Sequence, residues 1–293
     1  MLLVTGANGH FAQAAIENVR QLLGPRERFV VTTRNPSSEA AQNLTAKGIE
    51  VRYADFNAPE TLGAAMAGIE KILMVSTVGP NTQRFQMHSN ALTAAQAAGV
   101  RHVIYTSFIN ASPDAITEHS RLVHYPTEQK IINSGMNYTI LRHSVYADAV
   151  LDDLEQTLST GIFTRPGGER AAAHIARDDL AFSAAKVLVG DGHKNRIYTE
   201  TMAESVTGAQ IAALLSEVFE KNIVYRNMPV EDWADYMMHT MGLPEFAARS
   251  SVFTLKALEA GEYDLVTSDY ETIAGRPPRN FRRFLEDYKS GLK

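Results

Sequence analysis

The chain has no cysteine, a single tryptophan, no surplus of positive charge and no long apolar run. Without cysteine there is no disulfide, no thiolate nucleophile, no Cys-ligated zinc and no iron–sulfur cluster. Twenty-eight Lys and Arg stand against 33 Asp and Glu, a formal charge of −5, which argues against a nucleic-acid partner. No apolar stretch reaches the roughly 20 residues of a membrane span. The first strand is too short and too glycine-interrupted for a signal peptide, so a cytoplasmic protein with no membrane partner is expected. Trp233 lies with Tyr236 and Met237 at helical spacing, a stripe that reads as core sooner than as pocket. His88, His102, His119, His143, His174, His193 and His239 show no metal-ligand spacing, so no metal is expected.

What is present suits a soluble globular protein: 45% apolar and 21% charged residues over 293 positions, enough for a substantial core. The first half alternates two patterns. Leu2–Thr5, Arg28–Thr33, Ile49–Ala54, Lys71–Ser76, His102–Thr106 and Tyr138–His143 read as buried strands. Between them, Ala12–Leu23, Ser38–Lys47, Pro59–Ala67, Thr82–Ala98 and Pro126–Ser134 read as helices. Gly48, Gly68, Gly99 and Gly135 each sit where a left-handed helix cap precedes the next strand. This rhythm predicts an α/β fold, a Rossmann-type doubly wound parallel sheet with a smaller, mainly helical C-terminal part. Residues 1–148, completed by about 173–200, are the expected dinucleotide-binding domain; 149–172 and 201–293 are the expected substrate-binding part.

After Tyr146 the rhythm changes. A helix is expected at Asp148–Ser159, a loop at Gly161–Gly168, a strand and helix within Ala173–Val189, and strands at Arg196–Glu200 and Asn222–Asn227. Thr207-x-x-Gln210 has the form of a capping box opening a helix through Glu220. A less regular stretch is expected near Arg249–Tyr263, and a last amphipathic helix at Asn280–Tyr288.

The first strand runs into Gly6-Ala7-Asn8-Gly9-His10-Phe11-Ala12, spaced Gly-x-x-Gly-x-x-Ala. Gly6 permits a sharp turn, Gly9 lets the backbone approach a phosphate, and Ala12 allows close packing of the next helix, whose positive end faces the anion. Gly6, Asn8, Gly9, His10 and Phe11 are therefore the expected pyrophosphate-side contacts, although a plain strand–turn–helix could carry the same spacing. At the end of the second strand, where an NAD site usually keeps a carboxylate, stand Thr32-Thr33-Arg34-Asn35. Arg34 either pairs with a 2′-phosphate, with Thr32 or Thr33 adding hydroxyls, or is a solvated loop charge; with the acid missing, NADPH is favoured over NADH. Asp55-Phe56 ends the third strand, either as an adenine edge or as the opening of the next turn.

Gly6-Ala7-Asn8-Gly9-His10-Phe11, Arg34-Asn35-Pro36, Ala97-Ala98-Gly99-Val100, Tyr105-Thr106-Ser107, His124-x-x-Thr127-Glu128, Tyr138-Thr139-x-Leu141-Arg142, Arg177-x-Asp179 and Gly275-Arg276-Pro277-Pro278 occur in one order. Together they resemble the NmrA-like group of atypical short-chain dehydrogenases/reductases, and within it the members that reduce quinones and triphenylmethane dyes. Most short-chain reductases carry Tyr-x-x-x-Lys on one helix face as acid and activator. Here Tyr125 is followed four places on by Gln129, and Lys130 points off its face. Counting back from the following strand puts His124 in the lysine slot and Ser120 in the tyrosine slot.

The resemblance and the missing acid together imply direct hydride transfer from NADPH to a small planar conjugated acceptor such as a quinone, with no flavin required. His124 would hydrogen-bond the nicotinamide ribose, with Glu128 one turn on to orient it, or would simply lie on a helix surface. Ser76, Thr77, Thr106 and Ser107, at strand ends, are expected to contact the cofactor or to cap the next turns; His143 and Ser144 are expected to line its cleft. Val78, Phe108 and Tyr146 are the expected acceptor contacts or else core residues. A non-catalytic NADP-sensing regulator fits the missing acid as well, whereas a sugar-nucleotide epimerase would want the tyrosine. Oligomeric state is left open, a homodimer among the options.

Overall fold

Short strands that are apolar on both sides need helices on both faces of their sheet. The computed structural model, which describes residues 1–24 and 28–291, builds that arrangement. In chain order the first elements are β1 (Leu2–Val4), α1 (His10–Leu23), β2 (Phe29–Thr33), α2 (Glu39–Ala46), β3 (Glu50–Tyr53), α3 (Leu62–Met66), β4 (Lys71–Met74), α4 (Asn81–Ala97), β5 (His102–Phe108), α5 (Tyr125–Ile132) and β6 (Asn137–His143). Then come α6 (Leu154–Thr160), β7 (Ile162–Arg165), β8 (Ala171–Ala172), α7 (Arg177–Val189), β9 (Arg196–Glu200), β10 (Val206–Thr207), α8 (Gly208–Phe219), β11 (Val224–Asn227), α9 (Trp233–His239), α10 (Glu245–Glu259), α11 (Asp269–Ala274) and α12 (Phe281–Lys289). No helix among the described residues is long and apolar enough to cross a membrane.

The main sheet has seven strands in the order β3-β2-β1-β4-β5-β6-β9. Its pairings are parallel, with Leu3 opposite Val30 on one side and Ile72 on the other, and Ile72 opposite Val103. The chain winds outward from β1 to β3, then returns to β4 and winds the other way. That reversal opens a crevice at the carboxyl ends of β1 and β4, where ligands bind in sheets of this kind. Leu3, Val30, Ile72, Met74, Val103 and Tyr105 are buried with Leu62, Met66, Met87, Ala91 and Leu92 of the covering helices. Helix α4 buries Met87, His88, Ala91, Leu92 and Ala95 along one stripe. Gly48, Gly68, Gly99 and Gly135 all have the positive φ expected of helix caps.

The chain divides into two compact units: residues 1–113, 122–142 and 180–198, and residues 114–121, 143–179 and 199–293. The last two residues of the second range, and of the substrate-binding part expected from sequence, lie outside the described residues. Within the second unit the capping box forms as expected, the Thr207 hydroxyl accepting from the Gln210 N–H while the Gln210 side chain accepts from Thr207. Asn280 caps the terminal helix α12. Trp233 is core, packed with Met237 and Ala248 and donating its indole N–H to Ser251.

Three expectations change. The loop expected at Gly161–Gly168 contains β7, which pairs in parallel with β11; Ile162 and Thr164 are β-branched, but their partners lie some sixty residues on, beyond any local pattern. The irregular stretch near Arg249–Tyr263 is mostly α10, fixed by packing of Ala248 and Leu255 on the Trp233 cluster rather than by propensity. The single helix expected over Asp148–Ser159 is a 3-10 turn, Ala147–Leu151, followed by α6.

Candidate active site

The glycine turn is built by backbone bonds to its neighbours. Thr5 donates to Leu73 of β4 and Ala7 donates to Thr32 of β2, which fixes the bend over the centre of the sheet. Gly6 has φ of 72°, a conformation that side chains of L-residues rarely adopt. The Gly9 N–H returns to the Gly6 carbonyl at 2.9 Å. Helix α1 then starts with no side-chain cap and no acid in its first turn, so its first N–H groups and positive end remain available to an anion. His10 is exposed, whereas Phe11 is buried. Asn8 Oδ1 accepts from the Ser38 hydroxyl at 3.2 Å, which ties the turn to the loop after β2. Ser38 also caps α2.

Arg34 stands exposed on that loop, and its guanidinium makes no hydrogen bond or ion pair among the described residues. The Thr33 hydroxyl accepts from the Asn35 N–H at 3.1 Å, and Thr32 and Thr33 are both buried, so the exposed Arg34 is the accessible donor here. Uncapped helix, glycine bend and free guanidinium fit a phosphorylated dinucleotide. Asp55 takes its bland role, accepting from the Asn57 N–H at 2.9 Å within a turn. Phe56, expected at an adenine edge, is buried in the core cluster that also holds Leu3, Leu62, Ile72 and Met87.

A second group of residues gathers at the carboxyl ends of β4 and β5, all within the first unit. Ser76 and Thr77 follow β4; Thr106 and Ser107 lie inside β5, which runs two residues further than expected. The Ser76 N–H donates to Thr106 Oγ1 at 2.8 Å, and the Ser107 hydroxyl donates to Glu128 Oε1 at 2.6 Å. Glu128 is fully buried and grips Arg142 through two bonds, Nε at 2.9 Å and Nη2 at 2.6 Å. The carboxylate expected to orient His124 is thus committed to Arg142 and Ser107. Val78 is 86% exposed in the loop after β4, and Phe108 lies half-buried with its ring 6.2 Å from that of His124.

His124 closes a five-residue π-helical turn, Ser120–His124, that leads into α5. Such wide turns are uncommon and recur at functional sites. The imidazole is only 5% exposed, so it is not a surface residue. Its Nδ1 meets the Tyr105 hydroxyl at 2.9 Å, and its Nε2 meets Arg84 Nη2 at 3.4 Å. A guanidinium only donates, so Nε2 accepts and the ring hydrogen sits on Nδ1, directed to Tyr105. His124 therefore presents neither nitrogen freely to a ribose, contrary to expectation. The Tyr105 phenol is wholly buried, and burial raises its pKa. It also lies 3.4 Å from His88 Nδ1. His88 Nε2 accepts from the Thr77 N–H at 3.0 Å while Nδ1 faces Thr127 at 3.1 Å, and burial, then the nearby Arg84 charge, lowers its pKa to about 3.

The second unit holds the remaining expected residues. His143 is buried, with Nδ1 3.3 Å from the Tyr146 hydroxyl and Nε2 3.7 Å from Glu200. Burial lowers His143 to about 3 and raises Tyr146 to about 12. The Ser144 N–H donates to the Glu200 carbonyl at 3.1 Å and its side chain is sealed from solvent. Arg177 lies over the half-buried Tyr146 ring. His143 and Ser144, expected to line a cofactor cleft, are thus buried residues.

The model of the NmrA-like family matches residues 1–263. The chain belongs to the NmrA-like family. It is 34% identical over 249 residues to quinone oxidoreductase 2 of Escherichia coli strain K12, covering 84% of this chain and 83% of that protein. It is 30% identical over 293 residues to the NAD(P)H azoreductase of Xenophilus azovorans, covering 100% and 99%. Its fold superposes on the crystal structure of Citrobacter sp. triphenylmethane reductase complexed with NADP(H) at a TM-score of 0.89 and 30% identity, covering 99% of each chain.

Sequence reasoning about this NmrA-like chain missed Arg84, His88 and Tyr105. One signal was present: Arg84 lies four residues into α4, where the helix dipole disfavours a cation. Tyr105 entered only within the motif Tyr105-Thr106-Ser107, at the end of a strand, with no role of its own.

Proposed function

We propose that the chain is an NADPH-dependent oxidoreductase that passes a hydride directly to a quinone or similar planar conjugated acceptor, in the cytoplasm and without a Tyr–Lys acid pair. The first unit binds the dinucleotide and carries the acceptor surface at Val78 and Phe108. The observation that carries the reading is the Gly6–Gly9 bend over an uncapped α1, tied through Asn8 and Ser38 to the loop bearing the free Arg34. The likeness of the whole chain to an azoreductase and to a reductase complexed with NADP(H) supports the same reading.

When bound, the reduced nicotinamide supplies the hydride. The chain does the rest. Gly6, Asn8 and His10 would offer backbone N–H groups to the pyrophosphate, while Gly9, whose N–H is held by the Gly6 carbonyl, and Phe11 would shape the turn around it. Arg34 meets the 2′-phosphate with its planar fork. Ser76, Thr77 and Thr106, with the Tyr105–His124 pair, would line the nicotinamide side of the site, and Val78 and Phe108 would give the acceptor an apolar surface. The Tyr105 phenol is not presented for proton donation, since it is buried against His124. A quinone tolerates that loss, because the charge left by hydride addition is delocalised and solvent can supply the proton afterwards.

Purified protein with NADPH and a panel of benzoquinones, naphthoquinones and triarylmethane dyes should consume NADPH, followed by its absorbance. Calorimetric titration should show binding of NADPH tighter than NADH. No affinity for either nucleotide would overturn the reading.

A further inference from the structure

Arg84 is a cation that the fold does not neutralise. It is half-buried, yet no carboxylate among the described residues pairs with it. Its hydrogen bonds go to neutral acceptors: Asn81 Oδ1 at 3.2 Å, Ser76 Oγ at 3.0 Å and His124 Nε2 at 3.4 Å. Its Nε is buried and has no hydrogen-bond partner among the described residues. The contrast within the same unit is Arg142, whose guanidinium is matched by Glu128. Burying an unpaired charge is costly, and so is leaving a buried donor unmet. The helix dipole adds to that cost at the fourth residue of α4. Desolvation accordingly pulls the Arg84 pKa down. Nor does the neighbourhood relieve the charge: Tyr105 and His88 are buried and neutral, and His124 turns its lone pair to Arg84.

A site that keeps such a cation between Ser76, which follows β4, and His124 is prepared for negative charge arriving with a ligand. We propose that Arg84 is a catalytic residue that stabilises the anion formed on the acceptor, and that it biases the enzyme toward neutral acceptors, quinones and azo compounds, over cationic dyes. This rests on the reductase reading above. The charges balance differently for the two acceptor classes. A neutral quinone takes one hydrogen and two electrons from the reduced nicotinamide, which is left oxidised; the product is a hydroquinone monoanion, and a solvent proton then completes the hydroquinone. A triarylmethyl cation taking the same hydride becomes a neutral hydrocarbon, with no anion to stabilise and a positive charge to repel beforehand. Preorganised charge at the developing anion replaces the missing phenol in the first case and is adverse in the second.

The test compares wild type with Arg84→Gln and Arg84→Lys, using a naphthoquinone and the cation malachite green as acceptors. Arg84→Gln should lower kcat/KM for the quinone by about 100-fold or more, leave the dye reaction unchanged or faster, and bind NADPH as wild type does in calorimetry. Arg84→Lys should restore part of the quinone rate. Independently of turnover, 4-nitrophenolate, a flat aromatic anion, should bind the NADP⁺-saturated wild type at least tenfold tighter than Arg84→Gln, read by its own absorbance. Equal losses with quinone and dye, or unaltered phenolate binding, would overturn the proposal. If wild type turned over neither acceptor, the reductase reading would fall, while the phenolate titration would still decide whether Arg84 holds an anion.

Discussion

His88 gives the sharpest test of the buried polar cluster. Its Nε2 accepts the Thr77 N–H, so a proton there would face another donor, and the ring has no exposed edge through which water could help. Burial is the main cause of a folded pKa near 3, with Arg84 adding repulsion. An unfolded histidine titrates near 6.5, so between about pH 6.5 and pH 3 the unfolded chain holds a proton that the folded chain refuses. The folded pKa being the lower one, stability is whole above this window and drains away as pH falls through it. At pH 5 the unfolded state gains RT ln(1 + 10^1.5), about 2 kcal/mol, from this one site, against less than about 0.1 at pH 7.5. The comparison to make is wild type against His88→Gln, whose side-chain oxygen can still accept from Thr77 but cannot titrate. Urea unfolding at pH 7.5 and pH 5.0 gives four stabilities. The advantage of wild type over the variant should shrink by about 2 kcal/mol at the lower pH. The other buried histidines cancel, since both proteins carry them. A gap that stays constant within ~0.5 kcal/mol, about the usual limit of additivity, would show that His88 is protonated or solvated in the fold, and the account of the cluster would fail.

Arg34→Ala should raise KM for NADPH about tenfold or more through loss of a charge-assisted pair, and leave NADH nearly unaffected; equal changes for the two nucleotides would sink the 2′-phosphate assignment. Glu128→Ala strands Arg142 and the Ser107 hydroxyl, and should cost about 3–5 kcal/mol in urea unfolding; a loss under ~1 kcal/mol, the scale of exposed pairs, would refute a structural ion pair. Tyr105→Phe removes the partner of His124 Nδ1 and should cost about 1–3 kcal/mol, while an unchanged unfolding midpoint would show that His124 is held by something else.

The sheet was legible because its strands and helices alternate with the right periods, and because glycine punctuates each helix end at Gly48, Gly68, Gly99 and Gly135. The glycine turn was legible for the same reason: the positive φ at Gly6 is a local demand. What was not legible depends on distant partners. Strand β7 exists because β11 lies beside it, and α10 because Ala248 and Leu255 meet the Trp233 cluster. The π-helical turn before His124 is invisible to a count that assumes 3.6 residues per turn. Glu128 looked like a partner for His124 because they are four apart on one helix, yet Arg142 fourteen residues on claims it with two bonds. Spacing along a helix states which groups can meet; charge decides which do.

The same logic separates two arginines of the first unit. Arg142 lies near the end of β6 and Arg84 in the first turn of α4, after β4. Arg142 meets a carboxylate that is completely buried, so pair and hydroxyl form a closed polar unit that locks β5 to α5 and β6. Arg84 meets only lone pairs on neutral atoms. A fold under selection for stability alone would place a carboxylate there or remove the charge, because either change lowers the cost of burial. Retaining the cation unmatched, against a helix dipole and next to a histidine that can only accept from it, makes sense when the missing negative charge is brought by the reaction itself. That is how a short-chain reductase fold can lose its tyrosine and lysine and still reduce an acceptor: the positive charge stays on the protein, and the proton is left to the solvent.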